Sequence, residues 1–498
     1  MVKVVDLQIQ SNRVYYKLNG CSNDEFLQII EYKSWLFKSW KYGTERKYFT
    51  FIYKNSPELK IVWSSVGFAP ILIRHLQSLG WTVNGKENFR SKEINIGNIL
   101  FQPYDFQKDA INSWLSCGCC GIIKSPTGSG KSFLACMIIQ RMKVKTLITV
   151  HTNDLFSVWF DTLTHQFGDS IKSQIGVIGG KLSKNDRKKL SIVSDTGYES
   201  NIRQDIVIAT SQSLLNKLDR LCNERFGLLV TDECHHYSSE QFSKVASNVR
   251  APYRLGLSAT LYRIDGTSPL FFGLLGDMCY KINIRELVDK KILVSPVFNT
   301  IVIHDRNIQS QISTCGLIKL DLSRYIKQMS ASSIIKVNYI LNLVTSLARN
   351  NKKFIVYTDF VNSKNSNVFT RDFYVEELNK KRIKVIGVSA DMTGSERSKV
   401  FNMLEKGKLD GLIFGLLGSE GVNIPSIDSV VMCNATKSTI RYCQRIGRSM
   451  RTVKNDSSKK NAFVYEILLN TPMELKWSKE NFYEYEVEGY TKERIYIK

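Results

Sequence analysis

The sequence predicts an α/β protein: two consecutive parallel-sheet units preceded by a small α+β unit. Two observations carry this. Short, almost wholly apolar runs recur between longer amphipathic stretches at 121–125, 146–150, 205–210, 226–233 and 253–260. The same pattern returns at 353–359, 384–390, 411–416 and 428–436. Apolar strands separated by helical segments mark a parallel sheet covered on both faces. A third observation is length, since 498 residues are enough for about three domains at roughly 150 residues each.

Taken in order, residues 1–95 show short alternating stretches rich in aromatics, ending in the helix-like ILIRHLQSLG, and read as a small α+β unit, for which nucleic-acid binding is the working hypothesis. Its aromatics, among them Tyr15, Tyr16, Phe49 and Phe51, are expected chiefly to build a core. Residues 96–300 form the first parallel-sheet domain, 301–335 a linker, 336–470 the second domain and 471–498 an aromatic tail. The basic stretches Lys181–Lys189 and Lys380–Lys384 read as solvated faces.

Composition narrows the function classes. Hydrophobic residues make up 43% and charged residues 23%, as in globular proteins, and only 9 prolines occur. No apolar run nears the roughly 20 residues of a membrane-spanning helix. The opening MVKVVDLQIQ lacks the apolar block of a secretion signal, so a cytoplasmic location and no membrane partner are expected. The net charge of +23 attracts polyanions, nucleic acid first among them. The Cys117, Cys119 and Cys120 cluster has no second pair at zinc spacing and reads as thiols.

Three motifs carry chemistry. Ser125-Pro-Thr127-Gly128-Ser129-Gly130-Lys131-Ser132 follows a strand and precedes a helical stretch, the setting of a phosphate-binding loop. The glycines let backbone N–H groups face phosphate oxygens, and the helix beginning at Lys131 adds its positive end. Lys131 would reach the β- and γ-phosphates, and the Ser132 hydroxyl would ligate Mg²⁺. Asp232-Glu233-Cys234-His235 ends an apolar strand, which delivers acids to a nucleotide site: Asp232 for Mg²⁺, Glu233 for the attacking water. His235 reads as a coupling strut. Finally, Gln444-Arg445-Ile446-Gly447-Arg448-Ser449-Met450-Arg451 places Arg448 and Arg451 three apart, on one face of a helix, as arginine fingers.

Together with Ser258-Ala259-Thr260, these segments resemble the ordered motif set of superfamily 2 nucleic-acid helicases and translocases, over residues 100–465. The resemblance implies two tandem RecA-like domains, ATP and Mg²⁺ as cofactors, and a catalytic group of Glu233, Gln444, Arg448 and Arg451. Tyr104–Gln107 is similar to the adenine-contacting segment, with Gln107 reading the base edge. Thr149–Thr152 and Ala209–Ser211 resemble backbone-gripping segments, which implies nucleic-acid contacts at Thr152, Thr210 and Ser211. Ser258, Thr260, Gly421 and Asn423 would couple ATP to strand movement. Gly415 stands where Thr or Ser is usual, and Asn423 where Asp is common.

Leu257–Gly266 is nearer the DNA-repair and phage recombination branch, and residues 1–95 resemble the N-terminal unit of phage branch-migration helicases of the UvsW type. The resemblance therefore implies a monomeric ATP-dependent DNA helicase acting on duplex, forked or branched DNA, with little sequence preference. An RNA helicase with the same motor, and a nucleic-acid-binding scaffold with a non-hydrolysing ATP site, are the alternatives.

Overall fold

The computed structural model describes residues 3–10, 13–33, 35–39, 43–47, 49–85, 91–179, 201–238, 240–260, 269–315, 319–361, 368–389, 391–392, 394–415, 427–452 and 459–497. By contact, the chain divides into two units: Met1–Ser125 with Gly130–Ile282, and Pro126–Ser129 with Asn283–Lys498.

The first unit opens with strands β1 (Val4–Gln10), β2 (Arg13–Asn19), the hairpin β3 (Trp35–Ser39) and β4 (Gly43–Lys47), then β5 (Thr50–Asn55), β6 (Lys60–Ser65) and β7 (Thr82–Gly85). Five of them form one sheet in the order β5-β6-β2-β1-β7, antiparallel except for the β1/β7 pair. Alternation along β2 and β6 turns Val14, Tyr16, Leu18 and Val62 inward, against Phe26 and Ile29 of the helix Asn23–Glu31 and Ile71, Leu72 and Leu76 of the helix Ala69–Ser78. The expectation that the N-terminal aromatics build a core holds in part among the described residues. Tyr16, Phe26, Phe68 and Trp81 are buried, whereas Tyr15, Phe51, Tyr53 and Trp63 occupy the opposite face, because they alternate with the buried positions. The side chains of Trp35, Phe37, Trp40, Tyr42 and Tyr48 lie outside the described residues.

A second sheet follows: β8 (Cys120–Lys124), β9 (Thr146–Val150), β10 (Ile175–Ile178), β11 (Ile206–Thr210), β12 (Leu228–Asp232), β13 (Tyr253–Ser258) and β14 (Met278–Lys281). They lie in the order β10-β11-β9-β12-β13-β8-β14, every pair parallel. The apolar runs are continuous because both faces are covered. Ile122, Leu147, Val207 and Leu229 enter one core, and their neighbours Ile123, Ile148, Ile208 and Val230 enter the other, beneath the helices Lys131–Met142 and Asp154–Phe167. Lys92 to Ile94 already belong here: Glu93 bridges Val144, and Ile94 and Ile96 are in this core. The expected border at 95 therefore falls a few residues late. Cys120 is buried, with Sγ 3.2 Å from the Pro252 carbonyl oxygen.

The second unit holds β15 (Ser295–Ile303), β16 (Phe354–Tyr357), β17 (Val385–Val388), β18 (Gly411–Phe414), β19 (Ser429–Met432), β20 (Asn461–Leu469) and β21 (Lys492–Ile497). Their order is β17-β18-β16-β19-β20-β15-β21, again all parallel. Two tandem RecA-like sheets behind a small N-terminal sheet domain are thus the architecture.

Two borders need correction. The border at 300 cuts through β15, which pairs along its whole length with β20, some 160 residues away; no local pattern announces so distant a partner. The segment read as a linker also carries the helices Arg306–Ser313 and Lys319–Ser330. Residues 471–498 are no tail. The helix Pro472–Val487 buries Trp477, Phe482 and Tyr485, Phe298 of β15 meets Phe482 edge-on at 5.0 Å, and β21 completes the sheet edge. Lys492 of β21 fixes this arrangement, with Nζ 2.6 Å from both Glu466 Oε2 and Ser478 Oγ in a buried setting.

Candidate functional site

β8, β13 and β12 are adjacent and parallel, so the segments that follow them leave the same edge of the sheet. At about 4.8 Å per strand, the ends of β8 and β12 stand roughly 10 Å apart with β13 between them. Those segments are 125–132, 258–260 and 232–235: two of the three chemical motifs, with the Ser258–Thr260 segment between them. Parallel pairing is what gathers residues more than a hundred positions apart.

The loop after β8 turns tightly, with Ser129 Oγ donating to the Pro126 carbonyl at 2.7 Å. Gly128 and Gly130 have φ of 91° and 86°, a region that side-chain-bearing residues rarely adopt. A Cβ on Gly130 would also stand 2.9 Å from Gln107 Nε2. Gln107 is buried, and its Oε1 accepts the Tyr104 N–H at 3.0 Å, so its amide is aimed at the loop. Lys131 begins the 12-residue helix, half-buried, and its Nζ donates to the Ser125 carbonyl at 3.2 Å. Ser132 follows it in the first turn, and Thr127 sits at the loop crest.

Asp232 ends β12 nearly buried, at 8% exposure. Its Oδ2 accepts the indole N–H of Trp159 at 2.9 Å, and its Oδ1 accepts the Glu233 N–H at 3.0 Å. Both oxygens are thus aimed by N–H donors, and neither takes a cationic side chain among the described residues. A buried carboxylate and a hydroxyl on the helix's first turn are hard oxygen donors suited to Mg²⁺, so Ser132 and Asp232 fit that ion. Glu233 has φ of 47°, a strained conformation for a non-glycine residue that turns its carboxyl out of the strand direction.

Glu233 Oε2 lies 3.4 Å from His235 Nδ1, which is also 2.9 Å from Ser258 Oγ. Ser258 Oγ donates to the Thr260 carbonyl and accepts the Thr260 N–H at 3.2 Å. A continuous buried chain therefore joins Glu233, His235, Ser258 and Thr260. Sequence reading missed one support, Trp159, and gave His236 only the weak reading of a strut. Trp159 aims Asp232 from a helix where it looked like ordinary core. His236 stacks on His151 at 4.3 Å and lies tilted against His235 at the same ring separation, tying the acidic motif to the segment that ends in Thr152.

In the second unit the helix Thr439–Ile446 carries Gln444, buried at 6% exposure, whose Oε1 has no hydrogen-bond partner among the described residues. The helix stops there, so Arg448 and Arg451 do not share a helix face as expected. Gly447 caps it, Arg448 lies in the following turn, and Arg451 bridges Leu293 while Val294 N–H donates to the Met450 carbonyl at 2.8 Å. Pairing with the start of β15 pulls the chain out of the helix. Burial, then the Arg448 charge, pushes the Arg451 guanidinium down to about 10, so it remains cationic at neutral pH. Arg445 is structural, stacked 4.6 Å over the Tyr357 ring.

The expected strand-gripping residues have other occupations. Thr210 caps the short helix Ser211–Leu215, its hydroxyl accepting the Ser213 N–H at 3.2 Å. The Ser211 side chain is buried at the start of that helix. Thr152 has a buried hydroxyl without a hydrogen-bond partner among the described residues. Gly421, Asn423, Lys181–Lys189 and Arg263–Gly266 lie outside the described residues. Lys380 ends a helix and pairs with Glu376 at 2.8 Å, and Lys381, Arg382 and Lys384 follow it exposed around the buried Ile383.

A phosphate loop, a strand-end acidic pair and a second parallel sheet define the class of tandem-sheet nucleoside triphosphatases. Within it, residues 100–263 match the family model described as "Type III restriction enzyme, res subunit", and residues 335–453 match "Helicase conserved C-terminal domain". The chain belongs to superfamily 2 of the helicases and translocases. It is 28% identical over 385 residues to the DNA 3'-5' translocase XPB2 of Sulfurisphaera tokodaii, covering 73% of this chain and 81% of that protein. The DNA-bound Type ISP restriction-modification enzyme LlaBIII matches in fold with a TM-score of 0.56 at 15% identity, over 85% of this chain; the chain spans only 34% of that enzyme. T4 UvsW is covered from end to end, as is this chain, at 18% identity and a TM-score of 0.40.

Proposed function

We propose that the chain is an ATP-dependent DNA translocase that opens or remodels duplex and branched DNA. The observation that carries this reading is the convergence at one sheet edge of the phosphate loop, the Asp232–Glu233 pair and the hydrogen-bonded chain to Thr260. Lys131 and the loop N–H groups hold the β- and γ-phosphates, and Gln107 is placed to meet the adenine. Ser132 and Asp232 would hold Mg²⁺, which would supply positive charge against the phosphate oxygens. Glu233 accepts the proton of the attacking water as its oxygen bonds to the γ-phosphorus and the bond to the β-phosphate oxygen breaks. Gln444, Arg448 and Arg451 neutralise the charge that grows on the transferring group.

Loss of the γ-phosphate changes what Glu233 faces. His235, Ser258 and Thr260 pass that change along the sheet edge, a two-state element biased by nucleotide. Grip on phosphates rather than bases makes translocation sequence-independent and salt-sensitive. The S. tokodaii relative's description as a DNA 3'-5' translocase supports DNA as the track and that direction of travel.

The test is ATP hydrolysis by the pure full chain with single-stranded DNA, forked DNA, four-way junctions or RNA, alongside strand displacement on the same substrates. DNA should stimulate turnover at least tenfold and branched DNA should be remodelled only with ATP. Stimulation by RNA alone would replace DNA as the substrate, and no stimulation by any polymer would leave a binding scaffold.

A further inference from the structure

The N-terminal sheet has a solvent face unlike its core face. The register sets Phe51 of β5 opposite Trp63 of β6, and Trp63 opposite Tyr15 of β2. The Phe51 and Trp63 rings stack at 4.4 Å and 21°, and the Arg13 guanidinium sits 4.2 Å over the Trp63 ring. Tyr53, at the β5 irregularity, meets Tyr15 edge-on at 5.2 Å. These rings are not covered: Phe51 is 43% and Tyr53 64% exposed. Lys17 and Lys54 stand on the same face, each opposite Ile61 in its register. Asp6, opposite Lys17, is occupied by the amides of Asn19 and Asn84 at 2.8 and 3.5 Å.

Keeping adjacent aromatic rings in water on an edge strand is unfavourable and invites aggregation, so such a face points to a ligand. The charge pattern selects which. Arg13, Lys17 and Lys54 around the rings would repel a cationic partner and meet a polymer that alternates flat rings with anions. Single-stranded nucleic acid is that polymer, since any base can extend an aromatic stack while cations track its backbone. We propose that this face binds single-stranded DNA, with a base continuing the Phe51–Trp63 stack, another over Tyr53, and Arg13, Lys17 and Lys54 on the phosphates. The inference rests on the DNA-motor reading for its polymer and adds a site outside the motor that would hold a displaced strand.

Binding of a fluorescein-labelled 20-residue oligo-dT to the full chain without nucleotide tests it, comparing the parent with Phe51→Ala/Tyr53→Ala. The variant should bind at least about tenfold more weakly, because two stacks are lost, while the dependence of affinity on salt is kept because the cations remain. An abasic 20-mer of equal charge should not distinguish the two proteins. A 5-iododeoxyuridine 20-mer should cross-link to Phe51, Tyr53 or Trp63. Oligo-dT binding within twofold of the parent, an equal loss with the abasic strand, or no adduct on those rings overturns the proposal. Nucleotide-free binding needs no hydrolysis, so a parent that binds here but shows no DNA-stimulated ATPase would sink the motor reading alone. Unchanged basal ATPase in the variant verifies its fold.

Discussion

Ser258→Ala should separate ATP hydrolysis from its stimulation by DNA. The Ser258 hydroxyl has one hydrogen. Given to the Thr260 carbonyl, it leaves Oγ to accept from the Thr260 N–H at 3.2 Å and from His235 Nδ1–H at 2.9 Å. Removing Oγ strips three buried polar groups of a partner at once, although Nδ1–H can still turn to Glu233 Oε2, 3.4 Å away. Each such group costs about 1–3 kcal/mol when left unmade, and partial relaxation brings the net stability loss to about 1–3 kcal/mol. If this chain carries the coupling, a similar free energy is lost between the nucleotide and DNA sites, roughly 5- to 150-fold in stimulation. Basal turnover should stay within about threefold, since Lys131, Asp232 and Glu233 are untouched. Steady-state ATPase with and without saturating single-stranded DNA measures both numbers. His235→Ala closes a cycle: the double variant should be little worse than either single one, as expected for two ends of one bond. Stimulation reduced by less than twofold in Ser258→Ala, or fully additive effects in the cycle, would refute a coupling path through this hydroxyl.

Four further outcomes follow from the same geometry. Lys131→Ala, which removes the charge at the first turn of the helix Lys131–Met142, should slow ATP turnover at least about a hundredfold, read by phosphate release. Arg451→Ala should leave binding of a fluorescent ATP analogue within about threefold while slowing hydrolysis at least about a hundredfold, because its charge acts mainly in the transition state. Lys492→Ala leaves Glu466 buried without its cation and should cost about 3–5 kcal/mol in urea unfolding, with early proteolysis near Tyr483, while Lys492→Arg costs less. Glu25 is held down to about 2 by its bond to Lys3 and by the Ser22 N–H, below the ordinary carboxylate range. A depressed acid contributes stability above its unfolded pKa of about 4.5, lost as pH falls toward 2. The melting-temperature gap between the parent and Glu25→Gln should therefore be full at pH 6 and vanish across that window.

How much of this was legible follows from which interactions are local. β8, β9, β11, β12 and β13 were readable because burial on both faces writes itself as an unbroken apolar run, and β16 to β19 for the same reason. β15, β20 and β21 were not, since their meaning lies in partners: β15 is defined by β20 and β21, and Lys492 looks like any surface lysine until Glu466 and Ser478 surround it. The tail's aromatics signalled burial but not against what. At the site, Lys131, Asp232, Glu233 and His235 could be named because their chemistry depends on a loop and a strand end that sequence encodes within a few residues. Trp159 could not, because a core tryptophan and one whose indole N–H aims a carboxylate are written alike.

The arginine pair shows the same limit from the other side. Spacing alone put Arg448 and Arg451 on one helix face, and helix periodicity would have kept them there had the helix continued. Instead the Met450 carbonyl accepts from Val294 and Arg451 bridges Leu293, so a contact with the start of β15 takes over from the i, i+4 ladder just past Ile446. That exchange has a functional consequence. A residue in the middle of a helix moves only with the helix, but Arg451 is held by backbone pairing to the segment leading into β15. Its position is therefore set by the sheet of its own domain, and a change in where that sheet stands is carried directly to its guanidinium. If Arg451 acts as the proposed finger, one mounted in this way follows the sheet of its own domain, whereas one on a free helix end would follow only the helix's fraying. Substituting Val294 by Pro, which removes the N–H that the Met450 carbonyl accepts at 2.8 Å, should accordingly slow hydrolysis without altering the Arg451 side chain at all.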